Sequence, residues 1–335
     1  MADPYDPDRF KGGRGQLEGI PTMADLLEAR AVVKRYFRPT PFHFSHGLSR
    51  RFGCEVYVKY ENCSPIRSFK ARGALYCLWR LPADQRRAGV ITESTGNHGQ
   101  GIAYAGRILG IPSTIVVPSV TPELKRQAIR SFGGELCVFG DDVSQTGPQV
   151  RKMAAESGKT LIEDGADGGL MAGAATAAWE ILEDLPDVEV LIVPVGSGNL
   201  IAATCLVAKR LNPAIRIVGV QAEGAPAAAL SLKSGTIVQA PINTFAEGIA
   251  DSAPGALSFE VMKRDVDDIV LVSEEELRRS IVTVLSETGQ VAEGAGAAAF
   301  SALDKCRSRW KGSKVVPILS GGNLPVELLH TFLHG

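Results

Sequence analysis

The sequence predicts an α/β fold of two open lobes, each a parallel sheet with helices on both faces. Three observations predict it. Short, mostly apolar segments such as GVITE (89–93) and VEVLIVPV (188–195) read as strands buried on both faces. Helical segments alternate with them, as βα units require. Loops of Gly, Ser and Asn follow the strand ends, and no Pro- or Gly-rich linker cuts the chain in two. With 335 residues the chain has length for about two domains, and it can bury about three-quarters of its unfolded surface without staples. Lobes that exchange segments fit this pattern better than separate beads.

The elements follow in order. Residues 1–22 carry Asp3, Pro4, Asp6, Pro7 and Asp8, then Gly12, Gly13 and Gly15. With no hydrophobic stretch they are expected to form a flexible arm and not a signal peptide. Residues 23–36 place Leu26, Leu27, Ala31 and Val32 on one side of a helix. A strand is expected over 53–61, then a loop, then a helix over 74–81. Strands at 89–93, 113–117, 135–139 and 160–163 alternate with helices at 100–109, 122–133 and 149–157. Pro122 begins the second of these helices and Gly133 ends it. A helix at 174–182 leads to the strand at 188–195, a helix at 201–211 and a strand at 215–221. Ser273 caps a helix, Glu276 completes a capping box, and Gly289 stops it. The last strand is 315–319.

Composition narrows the function. Hydrophobic residues are 45% and charged residues 22%, an ordinary globular balance. Lys+Arg (36) nearly cancels Asp+Glu (37), which argues against nucleic acid or an anionic membrane as the partner. No apolar run approaches the roughly 18 residues of a membrane helix. Cys54, Cys63, Cys77, Cys137, Cys205 and Cys306 form no C-x-x-C, and the histidines at 43, 46, 98, 330 and 334 offer no zinc spacing. Scattered thiols point to a reducing cytoplasm.

Four loops carry chemistry. Ser68-Phe69-Lys70-Ala71-Arg72-Gly73 offers a lysine among apolar and small residues, where desolvation favours the neutral amine that a Schiff base needs. Alone it could be a surface lysine. Ser94-Thr95-Gly96-Asn97-His98-Gly99 joins a strand to a helix, where free N–H groups, hydroxyls and an amide suit a carboxylate. It could equally be a capping loop, and His98 a structural hydrogen-bonder. Gly196-Ser197-Gly198-Asn199-Leu200 lets the backbone close on a phosphate at a helix start. A dinucleotide fingerprint would want a further glycine where Ile201 stands, so one phosphate group fits better. Ser320-Gly321-Gly322-Asn323 ends the last strand, with a serine that could be a turn residue or a donor to a ring nitrogen. A reactive lysine, an anion loop, a phosphate loop and a strand-end hydroxyl together are the parts that hold pyridoxal 5′-phosphate.

SFKARGA, STGNHGQG, VPVGSGNL and LSGGN also stand in the order of the fold-type II pyridoxal-phosphate enzymes, and the chain most resembles the threonine/serine dehydratase and serine racemase branch. The resemblance implies a tryptophan synthase beta-like fold. It implies a large cofactor-binding domain of 23–82 with 165–335, and a small substrate-carboxylate domain of 83–164. By position, Lys70 would tether the cofactor and remove the Cα proton. Phe69 would lie against the ring, Asn97 would meet its phenolic oxygen, Gly196 to Leu200 would hold the phosphate, and Ser320 would meet the ring nitrogen. Ser94, Thr95, Asn97 and His98 would surround the substrate carboxylate, and Gly248 and Glu293 would line the pocket. The implied reaction is ammonia release from a β-hydroxy-α-amino acid, L-threonine or L-serine first and a bulkier or acidic one second, in a homodimer. Racemisation and β-replacement are the alternatives. The chain departs from its relatives at Arg67, where many have Gly, and at Pro65-Ile66, where Pro-Thr is usual. Thr95 replaces the serine that acts as the opposite-face base in serine racemase. Gln221, Ala225 and Ala227 stand where the racemase holds a divalent metal, so no metal is expected.

Overall fold

The computed structural model describes residues 13–141 and 143–334. Its elements begin α1 (Met23–Tyr36), β1 (Phe42–Phe44), α2 (His46–Phe52), β2 (Glu55–Tyr60), α3 (Lys70–Arg80), α4 (Ala83–Ala88), β3 (Val90–Glu93) and α5 (Asn97–Leu109). They continue β4 (Ser113–Val117), α6 (Glu123–Ser131), β5 (Glu135–Val138), α7 (Val143–Ser157), β6 (Thr160–Leu161), α8 (Gly168–Ala174), α9 (Thr176–Asp184), β7 (Val190–Pro194) and α10 (Asn199–Leu211). The last are β8 (Arg216–Ala222), α11 (Ala227–Ser234), α12 (Ala256–Asp265), β9 (Asp268–Val272), α13 (Glu274–Thr288), α14 (Gly294–Lys305), β10 (Lys314–Leu319) and α15 (Val326–His334).

Two compact units share these elements. One runs to Val33 and from Lys70 to Gly173; the other takes Lys34–Phe69 and everything from Ala174. The first holds a four-stranded sheet, β5-β4-β3-β6, with every pair parallel. Ile91, Val116 and Val150 are buried together between this sheet and α7. Residues 23–33, 70–82 and 165–173 fall in this unit, whereas the sequence reading grouped them with the larger domain. The reason is local: α3 lies so close to α5 that a Cβ at Gly101 would stand 3.1 Å from the Lys70 carbonyl oxygen.

The expected flexible arm is not what residues 13–22 form. The Gly13 and Gly15 N–H groups donate to the Arg80 carbonyl at 2.9 and 3.1 Å, and the Gly168 N–H donates to the Leu17 carbonyl at 2.7 Å. Arg80 is itself buried and held by Asp25 (3.2 Å), Glu28 (3.5 Å) and the Tyr76 hydroxyl (3.1 Å). Composition suggests looseness here, but backbone groups with buried partners decide the matter. Residues 1–12 lie outside the described residues.

The second unit holds a six-stranded sheet in the order β1-β2-β10-β7-β8-β9. All its pairs are parallel except β1 with β2. This antiparallel edge corrects the all-parallel expectation. A short return through α2 brings the chain back beside itself, and only an antiparallel pair tolerates so brief a connection. The core packs Val56, Val58, Ile192, Val218, Val220 and Phe300, all fully buried, between the sheet and α14 and α13. At α13 the capping box is complete: the Glu276 N–H donates to Ser273 Oγ at 3.2 Å, and the Ser273 N–H to Glu276 Oε2 at 2.7 Å. Gly289 ends the helix at φ +68°.

Candidate active site

The turn that delivers Lys70 is fixed before the lysine is reached. Ser64 Oγ donates to the Ser68 carbonyl at 2.7 Å and accepts from the Ser68 N–H at 2.9 Å. The loop after β10 then binds the same turn. The Phe69 N–H donates to the Ser320 carbonyl (3.1 Å), the Gly322 N–H to the Arg67 carbonyl (2.9 Å), and Asn323 Nδ2 to the Ile66 carbonyl (2.9 Å). Phe69 and Ser320, predicted from separate motifs, are therefore neighbours in the second unit. Glu293 joins them, accepting from the Asn323 N–H at 3.1 Å while its own N–H donates to the Gly321 carbonyl at 3.1 Å.

Arg67, at φ 58°, is the left-handed non-glycine among the described residues. An L side chain in that region costs roughly 1–2 kcal/mol, which Gly does not pay. The side chain is exposed, so Arg67→Gly should raise stability by about 1 kcal/mol, read as a higher urea midpoint. An unchanged or lower midpoint would mean that the arginine's contacts offset the strain.

In the first unit, Lys70 opens α3, and its Nζ pairs with the Asp164 carboxylate, just beyond β6. Burial pushes the Asp164 carboxyl up. The Lys70 charge, the nearby His98 and hydrogen bonds from Lys70 and the Gly165 N–H outweigh burial and hold it at about 2. Asp164 is the residue that sequence reasoning missed. The signal available was its place, directly after a strand, where ligand-binding residues of such sheets gather.

The loop from β3 into α5 brings Ser94, Thr95, Gly96 and Asn97 together, all half-buried. No side chain caps α5, a helix start of the kind that suits an anion. His98 lies beneath this loop, only 5% exposed. Its Nε2 is 3.1 Å from Thr92 Oγ1, whose hydroxyl donates to the Ile162 carbonyl at 2.6 Å. Burial lowers the His98 pKa, Asp164 works the other way, and Lys70 adds to the lowering. Burial thus favours the neutral ring, which ties the start of α5 to Thr92 of β3.

The remaining predicted residues lie in the second unit. Gly196 to Leu200 joins β7 to α10, with Gly198 as N-cap at φ +92° and no side-chain cap. A Cβ at Gly196 would stand 2.3 Å from Asp251 Oδ2 and 3.0 Å from the Gly248 carbonyl oxygen; one at Gly198 would stand 2.8 Å from Met262 Cε. Only glycine lets the backbone form this cradle of outward N–H groups at a helix start, the arrangement that binds phosphate. Ser320 is 5% exposed, and its carbonyl accepts from the Phe69 N–H at 3.1 Å, so its hydroxyl stands beside the turn that leads to Lys70. The uncapped cradle and the Ser320 hydroxyl both fit pyridoxal 5′-phosphate, as does a lysine amine at the start of α3.

Comparison with known proteins agrees with this chemistry. The model of the family described as pyridoxal-phosphate dependent enzyme matches residues 33–321. An L-threonine ammonia-lyase of Thermotoga maritima is 38% identical over 315 residues, 93% of this chain and 78% of its own. One from Geobacter sulfurreducens is 38% identical over 305 residues, 91% of this chain and 76% of its own. Among solved structures, the processed form of threonine deaminase isoform 2 from Solanum lycopersicum has TM-score 0.87 at 30% identity, covering 95% of each chain. Maize serine racemase has TM-score 0.89 at 29% identity, covering 95% of this chain and 97% of its own.

Proposed function

The chain belongs to the family of pyridoxal-phosphate dependent enzymes, and from that premise we propose that it is an ammonia-lyase converting a β-hydroxy-α-amino acid, L-threonine or L-serine, to a 2-oxo acid and ammonia. The observation that carries the reading is the Lys70 amine, delivered by a braced turn and held at one carboxylate. The ammonia-lyase names of the two relatives support the choice of reaction.

Bound at Lys70, the cofactor supplies an electron sink that acidifies the substrate's α-hydrogen. The residues of this chain do the rest. The half-buried Ser94, Thr95 and Asn97 at the α5 start, with His98 beside them, would hold the substrate carboxylate, and Asn97 would also meet the cofactor's phenolic oxygen. Gly196, Ser197, Gly198, Asn199 and Leu200 would hold the phosphate, Ser320 would donate to the ring nitrogen, and Phe69 would lie against the ring. Gly248 and Glu293 line the pocket. Lys70 takes the Cα proton, general-base work worth about 10²–10⁴-fold. Overall the Cα proton and the β-hydroxide would leave as one water, and a second water would hydrolyse the C=N bond of the resulting imine to give the oxo acid and ammonia.

Oxo acid and ammonia should appear when the protein is given L-threonine or L-serine, read by a coupled dehydrogenase and an ammonia assay. No product from any member of a panel that includes phenylserine and hydroxyaspartate would refute the reading. Chiral analysis of recovered substrate separates elimination from racemisation. We also propose a homodimer, testable by sedimentation, acting on a small amino acid in the cytoplasm; the six free thiols suit a reducing compartment. Among the described residues no helix is long and apolar enough to cross a membrane.

A further inference from the structure

We propose that Asp164 is a positioning residue for Lys70, fixing the place of its side-chain nitrogen. The inference rests on the reading that Lys70 carries the cofactor. The Asp164 carboxylate meets Lys70 Nζ directly. It sits in the turn after β6, where the Ala166 N–H donates to the Glu163 carbonyl at 3.3 Å, so its backbone is set by the fold and not by the lysine.

The other ionisable groups around this point are turned to other work. Glu163 pairs with Arg151 of α7 at 2.9 Å. Asp167 accepts from the Gly169 N–H at 2.6 Å and from the Cys77 thiol of α3 at 3.4 Å. Glu93, at the end of β3, takes a hydrogen bond from Thr146 and lies near Arg151. His98 of α5 is engaged with Thr92. Asp164 is thus the acid aimed at the reacting nitrogen. A negative charge beside the cofactor-bound nitrogen favours its protonated form. A contact of this kind moves a proton equilibrium by about 1–3 pH units.

The test is a pH titration of the visible absorption of the full-length holoenzyme, comparing the native protein with Asp164→Asn and Asp164→Glu. The protonated-nitrogen band should give way at a pH about 1–3 units lower in Asp164→Asn than in the native protein. Asp164→Glu, which restores the charge, should titrate close to native. A structural role alone would not move this midpoint while leaving the band intact. Superimposable native and Asp164→Asn curves would overturn the inference. If Asp164→Asn does not load the cofactor, the Glu variant decides: a native-like midpoint upholds the role, and a midpoint lower by a pH unit or more overturns it. A native protein with no visible band would instead overturn the assignment of the cofactor to Lys70.

Discussion

Lys70→Ala should abolish the visible absorption of the protein and lower kcat/KM for its hydroxy amino acid by at least about 10³-fold. The size follows from the two tasks that meet in one side chain. On the reading proposed above, the amine would be the point of covalent attachment and also the base that receives the Cα proton. Removing it takes away both at once, with no neighbour placed to substitute. Asp164 is an acid held near pKa 2, and His98 is buried under the loop with its Nε2 on Thr92. Lys70→Arg is the companion variant. It keeps a cation for Asp164 but cannot form the linkage. It should be as inactive as the alanine variant, with a native urea midpoint, which separates lost chemistry from lost fold. Borohydride reduction followed by peptide mass analysis should place the trapped cofactor on the peptide containing Lys70. Full absorbance in Lys70→Ala would move the site elsewhere in the chain.

The parts of this site that could be read in the sequence are those whose chemistry is local. Gly198 at a helix start after an apolar strand is a statement about backbone conformation, and the cradle at α10 has the form that spacing implied. The capping box at Ser273 and the stop at Gly289 are likewise contained within a few residues. What escaped was set by distant partners. Asp164 became visible only when the end of β6 was brought against the start of α3. Helix α14, GAGAAAFSALDK, has no amphipathic pattern because it is buried on all sides, and a helix of that kind carries no periodic signal. Edge strand β1 is three residues long and exists by virtue of its pairing with β2. The arm at 13–22 looked loose because its own residues favour no structure; its order comes from Arg80 and Gly168.

The same dependence on distant partners underlies the second large effect. Glu180→Ala should cost about 3–5 kcal/mol of stability, the loss expected when one member of a buried ion pair is removed and its partner is left without compensation. Lys59, on β2, is 0% exposed, and the Glu180 side chain, on α9, is 6% exposed. Lys59 Nζ donates to Glu180 Oε2 at 2.6 Å and to the Thr40 carbonyl at 2.8 Å, while Thr40 Oγ1 donates to Glu61 Oε1 at 2.6 Å. Strand β2 runs directly into Glu61 and the turn that carries Phe69 to Lys70, so loosening Lys59 should also lower cofactor affinity. Replacing both partners with apolar residues of similar volume, Lys59→Met with Glu180→Leu, should recover most of the loss, because the cost lies in an unpaired buried charge and not in the absence of a charge pair. Urea midpoints of the two single variants and the double variant close the cycle. A single-variant cost below about 1 kcal/mol, the range of exposed pairs, would show that water reaches Lys59 when Glu180 is gone and that the network is not sealed.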